Sequence, residues 1–329
     1  MDRIGDPLDG KLLNDWQRDL PVTESPFLNI ANDLGIDEAE VISRLAKLQT
    51  TGRITRVGAT CAPNTVSAST LAALSAPPEA IEDIAEIVGS QPGVNHSYLR
   101  ENKWNLWFVA TGPDRAYVDD SLNEIRDRTG LGVLDLRLVR PFNVDLGFKL
   151  NGGLERPPAP RPVLMERLQE GDNHLLQALT KGMPLVARPF AEIARELGST
   201  EAHVVARVAD LVEGGIISRL GVIVRHRALG WSSNAMVVWD ISPDEITAAG
   251  PALCTVPGVT LCYERRPVPG VWPYRLYCMI HARSRNDALQ VLEKAKALPE
   301  LAGISCQVLF SSRCFKQTGA LISRREAAA

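Results

Sequence analysis

RLGVIVRHRALG, Arg219 to Gly230, runs from a strand-like apolar stretch straight into Arg225-His226-Arg227. A degraded twin stands earlier in the chain: RVGATCAPNTVS, Arg56 to Ser67. Aligned on their shared Arg-x-Gly, the earlier copy has Ala62, Pro63 and Asn64 where the later one has Arg225, His226 and Arg227. One copy carries a titratable site flanked by cations, and the other has lost it. A repeat kept only for packing gives no reason to concentrate such chemistry on one side.

The repeat extends outward from this pair. In the same register Pro21, Phe27, Ile30, Leu34, Gly35, Val41, Arg44, Leu48 and Gly52 fall on Pro184, Phe190, Ile193, Leu197, Gly198, Val204, Arg207, Leu211 and Gly215. After small insertions Tyr98 matches Tyr263, Arg100 matches Arg265, and Arg140-Pro-Phe142 matches Arg313-Cys-Phe315. A whole unit is duplicated, and such self-similarity decides the fold before any single element does. Between the copies NGGLERPPAPRPV, Asn151 to Val163, is rich in prolines that cannot donate backbone hydrogen bonds, so it reads as an extended linker.

Each copy opens with three helical segments. In the first, Leu12, Leu13 and Trp16 share a face; Phe27, Ile30, Ala31 and Leu34 form a second helix that Gly35 stops; Val41, Leu45 and Leu48 recur at helical spacing up to Gly52. With GRITRVGA as strand, this is a winged helix-turn-helix. Downstream, strands over Ser69–Leu74, Val94–Leu99, Trp104–Ala110 and Val133–Val139 alternate with helices over Pro78–Val88 and Asp114–Thr129, the βαββαβ order of a ferredoxin-like unit. The second copy repeats it over Asn234–Ile241, Pro243–Cys254, Val259–Glu264, Tyr274–His281, Arg285–Ala297 and Ile304–Phe310. The predicted class is α+β, a tandem duplication with winged helices over 1–66 and 171–230, ferredoxin-like domains over 67–150 and 231–329, and a linker over 151–170.

Composition narrows the partners. A chain of 329 residues, 45% apolar, is long enough for two ordinary cores. No apolar run reaches the roughly 18 residues of a membrane helix, and MDRIGDPLDG has no signal-peptide pattern, so a cytoplasmic protein is expected. Six cysteines without CxxC spacing read as reduced, buried thiols. A net charge of -3 gives no global attraction to nucleic acid. The recognition-helix positions agree, with Asp37, Glu38 and Glu40 at the first turn of one and Ser199-Thr200-Glu201-Ala202-His203 offering no Lys or Arg in the other. Asp37 and Glu38 also fit ordinary helix capping.

A winged helix followed by a ferredoxin-like domain resembles the Lrp/AsnC regulators, which would imply DNA binding. NHSYLRENKWNLWFV (Asn95 to Val109) and LCYERRPVPGVWPYRLYCMIH (Leu261 to His281), taken with Arg-His-Arg, narrow the resemblance to the siroheme decarboxylases, Lrp-like proteins of haem d1 synthesis and the alternative haem pathway. The two halves resemble the two kinds of subunit in that family, joined in one polypeptide. The resemblance implies removal of acetate carboxyl groups from siroheme to a didecarboxylated product. It implies no organic cofactor and no protein-held metal, because the macrocycle serves as electron sink and iron arrives with the substrate. An Lrp-like regulator stands as the alternative, and a monomer or weak dimer is expected.

The residues suit that chemistry in their own right. A tetrapyrrole fringed by carboxylates needs a flat apolar slot and several guanidinium forks, for which Arg100, Arg219, Arg225, Arg227, Arg265 and Arg266 are candidates. Losing carbon dioxide from a ring acetate needs a proton delivered to the departing carbon, the work of a histidine. His96 matches Leu261 and His226 matches Pro63, so each half contributes one histidine where the other cannot, and the pair is expected to act in one site. Tyr98 and Trp107 are candidates for stacking on the ligand or for core packing, as is Tyr263. His281, matched by Thr111, is expected to make a structural hydrogen bond, and His174 and His203 to be solvated.

Overall fold

The computed structural model describes residues 5–147, 150 and 161–323. Of the linker expected over 151–170, residues 151–160 lie outside the described residues. In chain order the first copy supplies α1 (Pro7–Asp15), α2 (Pro26–Leu34), α3 (Glu38–Thr50), β1 (Ile54–Cys61), β2 (Ala68–Leu74), α4 (Ile81–Ser90), β3 (Val94–Arg100), β4 (Leu106–Gly112), α5 (Arg115–Thr129), β5 (Val133–Leu136) and β6 (Leu138–Asn143). The second supplies α6 (Asp172–Lys181), α7 (Pro189–Leu197), α8 (Glu201–Glu213), β7 (Ile217–Val224), β8 (Ser233–Trp239), α9 (Pro243–Cys254), β9 (Val259–Arg265), β10 (Leu276–Ala282), α10 (Arg285–Lys296) and β11 (Cys306–Gln317). They gather into two compact units, each holding matching parts of both copies: one of residues up to Val66 with Arg161–Gly230, the other of Ser67–Leu146 with Trp231 onward.

The first unit pairs the winged helices. Gly35 and Gly198 end α2 and α7 in the left-handed conformation, at φ 67° and 65°, which a residue without a side chain adopts freely. Each copy contributes one wing strand, and its partner comes from the other copy: β1 pairs antiparallel with β7, with Gly58 opposite Gly221. The Arg-x-Gly repeat gains its physical reason here. The first helices end against these strands, Trp16 accepting from the Val222 amide and the Met183 amide donating to Val57, both at 2.7 Å. A Cβ on Gly58 would lie 2.3 Å from the Leu179 carbonyl oxygen, and one on Gly221 2.5 Å from those of Trp16 and Gln17. Neither glycine can carry a side chain without moving helix backbone.

In the second unit the two ferredoxin-like halves share one sheet of nine strands, in the order β5-β2-β4-β3-β11-β8-β10-β9-β6. Each half's last strand crosses over. β6 pairs with β9, while β11 pairs with β8 through Cys306–Phe310 and with β3 beyond it. The strand expected over Ile304–Phe310 therefore runs on to Gln317, and the one expected over Val133–Val139 divides around Arg137 and continues to Asn143. The repeated Arg-x-Phe lies on these exchanged segments, with Arg140 4.9 Å above the Phe142 ring and Arg313 4.5 Å above Phe315. Phe142 fills the space that a Cβ on Gly250 would need.

Alternation along the strands builds two kinds of core. One face of each half is closed by its own helices, as where Ile84, Val88, Val118 and Leu122 meet Leu74 and Phe108, or Ile246, Leu253, Val291 and Leu292 meet Val237 and Trp239. The opposite face is shared: Leu71, Trp107 and Leu136 from the first half pack with Met236, Tyr263, Trp272, Tyr277, Met279 and Leu309 from the second. All six cysteines are free thiols. Only Cys262 and Cys278 are buried; Cys61, Cys254 and Cys306 are half-buried and Cys314 is exposed, because its position falls on the exchanged edge segment rather than in a core.

Candidate active site

The shared face of the nine-stranded sheet carries the polar side chains that could act on a ligand. His96, Tyr98 and Arg100 alternate along β3, so all three project from one face. The His96 and Tyr98 rings lie 6.4 Å apart at 22°, and the Arg100 guanidinium stands 5.6 Å from the Tyr98 ring. Trp107, opposite Tyr98 on β4, is fully buried; its ring is 5.3 Å from Trp272, and its indole donates to the Trp104 carbonyl. Tyr263 and Tyr277 stack at 5.9 Å, and Trp272 donates to the Tyr277 hydroxyl. The wall is aromatic, with its polar tips satisfied inside it.

Arg100 is the cation this face holds most tightly. It is only 6% exposed, and its Nη1 donates to the Leu309 carbonyl at 3.1 Å and the Asn234 side-chain oxygen at 3.2 Å. Its Nε has no partner, and among the described residues no carboxylate faces it. Burial pulls its pKa down to about 10. Arg265, its repeat mate on β9, donates to the Leu136 carbonyl at 2.7 Å and lies 4.5 Å from the Tyr263 ring centre, also with an unpartnered Nε. Leu136 and Leu309 are themselves equivalent, opposite Leu71 and Met236 in their sheets. Each arginine thus rests on a carbonyl of the other half, Leu309 on β11 or Leu136 at the end of β5. Arg266 is exposed.

Behind Arg100 lies a chain of hydrogen bonds, half-buried at Asn234 and Thr260 and centred on buried His281. Asn234 meets His281 Nε2 at 2.7 Å, His281 Nδ1 meets the Thr260 hydroxyl at 2.7 Å, and that hydroxyl donates to the Met279 carbonyl at 3.1 Å. His281 has its pKa lowered to about 4, first by burial and then by Arg100. The structural hydrogen bond expected for His281 is present. Reasoning from the sequence missed Asn234 and Thr260, although the rule that singled out His226 would have found them: in the first half the Asn234–His281 cross-strand pair is replaced by Ser69–Thr111.

The remaining candidates lie in the winged-helix unit. Arg219 is buried on β7, and its charge is the second cause, after burial, that lowers Arg56 to about 10. β7 ends at Val224, and a tight turn over His226–Leu229 follows, closed by Gly230 at φ 94°. His226 is buried in that turn between exposed Arg225 and Arg227, and the Arg225 amide donates to the Arg53 carbonyl. The structure therefore brings His96, Tyr98, Arg100, Trp107 and Arg265 onto one shared sheet, and places Arg219, Arg225, His226 and Arg227 in the other unit. His174 and His203 are exposed, as expected.

The helices that would read DNA are acidic where they begin. Asp37 stands at the N-cap of α3 without a side-chain cap bond, followed by Glu38 and Glu40. Arg44 on α3 is held by Asp6, Asp9 and Glu40, and Arg207 on α8 by Asp172 and Asp210. No helix among the described residues is long and apolar enough to cross a membrane.

Comparison with known proteins agrees with this architecture. The family model of the AsnC-like ligand binding domain matches residues 66–142 and 228–316, and that of the siroheme decarboxylase NirDL-like HTH domain matches 9–54 and 172–217. The siroheme decarboxylase NirDL subunit of Paracoccus pantotrophus is 55% identical over 319 residues, covering 97% of this chain and 98% of its own. The siroheme decarboxylase NirD subunit of Stutzerimonas stutzeri is 43% identical over 145 residues, 44% of this chain and 95% of that one, so a single-copy relative spans one half. A crystal structure of the siroheme decarboxylase NirDL in co-complex with an iron-uroporphyrin III analogue superposes with a TM-score of 0.67 at 25% identity, over 96% of this chain and 94% of the other. With two family models repeated in tandem and a relative this similar from end to end, the chain belongs to the siroheme decarboxylase NirDL family.

Proposed function

We propose that this chain decarboxylates siroheme at its acetate side chains, with Arg100 as a carboxylate anchor and His96 and His226 as the proton-transfer groups. The observation that carries the reading is Arg100: a guanidinium 6% exposed, with a free Nε and no facing carboxylate among the described residues, on the same strand face as Tyr98 and His96. A buried cation without a counter-charge is unfavourable until an anion arrives, and a carboxylate of the tetrapyrrole supplies one through charge-assisted bonds.

The reaction balances without an added oxidant or reductant. The carbon–carbon bond to the carboxylate breaks, its electron pair passes into the macrocycle, carbon dioxide leaves, and one proton adds to the methylene carbon to give a methyl group. General acid catalysis of that transfer contributes ~10² to 10⁴ in rate. No organic cofactor is needed for such a sequence, and the iron belongs to the substrate. The acidic starts of α3 and α8 and the carboxylates around Arg44 and Arg207 support a chain that does not use DNA as partner, since phosphate binding needs free cations.

The test is carbon dioxide release from siroheme by the purified chain, followed together with the absorbance of the bound tetrapyrrole. Arg100→Ala should weaken tetrapyrrole binding roughly 10- to 100-fold, the range for losing a hydrogen bond to a charged group. Absence of carbon dioxide release with intact binding would leave the chain a tetrapyrrole-binding protein and defeat the reading.

A further inference from the structure

We infer that His281 is a positioning residue: through Asn234 it fixes the guanidinium of Arg100 for a carboxylate of the tetrapyrrole, and its own ring is oriented by Thr260. This rests on Arg100 being a substrate anchor, as proposed above.

Donor and acceptor roles along the chain are forced from one end. Arginine can only donate. Its bond to Asn234 therefore requires the amide oxygen of Asn234 to face Arg100, which turns the Asn234 NH₂ toward His281 Nε2. Nε2 must then accept, so the imidazole carries its hydrogen on Nδ1 and donates it to the Thr260 oxygen. The Thr260 hydroxyl is left to donate to the Met279 carbonyl. Every step has one consistent direction, and it ends on rigid strand backbone. A second proton on the imidazole would set an N–H against the Asn234 NH₂ and break the chain at its centre.

The repeat supplies the control. Arg100 and Arg265 are equivalent, and each donates to the equivalent carbonyl of the opposite half, Leu309 or Leu136. Only Arg100 has the additional bond to an amide backed by an imidazole. At the matching places near Arg265 the first half has Ser69 and Thr111, and Thr111 donates instead to the Gly93 carbonyl. Arg265 is steered by the Tyr263 and Tyr277 rings, at 4.5 and 6.0 Å. Packing alone cannot be the reason for the chain, because the same fold position is filled without it in the other half.

The experiment is a double-mutant cycle read by absorbance titration with iron-uroporphyrin III, joined to kcat and KM with siroheme. His281→Ala should weaken binding about tenfold, the equivalent of one hydrogen bond to a charged partner, and raise KM more than it lowers kcat. His281→Gln, whose amide oxygen can accept from Asn234, should recover most of the affinity. The double variant His281→Ala/Arg100→Ala should bind no more weakly than Arg100→Ala alone, because residues acting through one group are not additive. If His281→Ala does not fold, Asn234→Ala replaces it in the same cycle. Two-bond ¹⁵N couplings should report the Nδ1–H tautomer of His281. Additive losses, or an Nε2–H tautomer, overturn the inference. Unchanged affinity in Arg100→Ala would instead defeat the anchor itself, whereas a weak Arg100→Ala beside an unaffected His281→Ala defeats only the positioning role.

Discussion

Lowering the pH should destabilise the nine-stranded unit through His281. The imidazole is buried with its pKa at about 4 against 6.5 for the free group, held down by burial first and Arg100 second. The unfolded chain therefore takes up a proton that the folded chain refuses. Stability from this residue is complete above pH 6.5 and is lost as pH falls through the window down to about 4. The gap corresponds to roughly 3 kcal/mol once the lower value is passed, and about 2 kcal/mol is already lost at pH 5. Amide hydrogen exchange of β10 isolates the unit that contains the group, and with intrinsic rates corrected at each pH, its slowest amides should lose roughly 30-fold of protection between pH 7.5 and pH 5. His281→Gln cannot titrate, so its loss over the same interval should be smaller by about that factor. Equal pH dependence in parent and variant would refute the reasoning, because it would mean the imidazole is either solvated or already charged in the folded chain.

Three further outcomes are expected. Gly58→Ala and Gly221→Ala should each cost about 1 to 3 kcal/mol, since the new Cβ meets the Leu179 or Trp16 carbonyl and overpacking displaces backbone; thermal unfolding checks this, and unchanged melting would mean the first helices sit more loosely on the wing strands. Asp172→Asn should cost about 1.5 to 3 kcal/mol, because buried Arg207 loses charge-assisted hydrogen bonds while Asp210 still pairs with it, whereas Asp6→Asn beside half-exposed Arg44 should leave stability nearly unchanged, both measured by urea denaturation. His96→Ala and His226→Ala should each abolish most single-turnover carbon dioxide release if each residue moves a proton in the proposed reaction; near-full activity in either single variant would remove that residue from the chemistry.

Much of the fold was legible because duplication writes each element twice. The paired glycines Gly35 and Gly198, the helical spacing of Phe27, Ile30 and Ala31, and the alternation in both halves place nearly every helix and strand within a few residues. The exchange of last strands was not legible. Arg140-Pro-Phe142 and Arg313-Cys-Phe315 were visible as a repeat, yet nothing local says that a strand end pairs with the opposite half, since a ladder uses backbone groups that every residue owns. The site shows the same division. Arg100 and Tyr98 could be picked out as polar residues in an apolar run, while the partners of Arg100 lie far along the chain at Asn234 and Leu309 and are recruited only by the closed sheet.

The exchange also bears on why two unlike halves are kept in one polypeptide. Each arginine of the shared face is completed by the other half: Arg100 needs the Leu309 carbonyl and Asn234, and Arg265 needs the Leu136 carbonyl. Two first halves paired together would put His96 and Arg100 on both sides, with Ser69 and Thr111 behind them and no imidazole to orient either guanidinium. Two second halves would supply Asn234 and His281 twice, but would set Leu261 where His96 stands and aim the chain of hydrogen bonds at a strand without a histidine. Only the unlike pair joins a histidine-bearing strand to an arginine that is held in register from behind. Covalent fusion fixes that pairing at one to one and suppresses both symmetric alternatives, so asymmetry within the repeat and continuity of the chain serve the same chemical requirement.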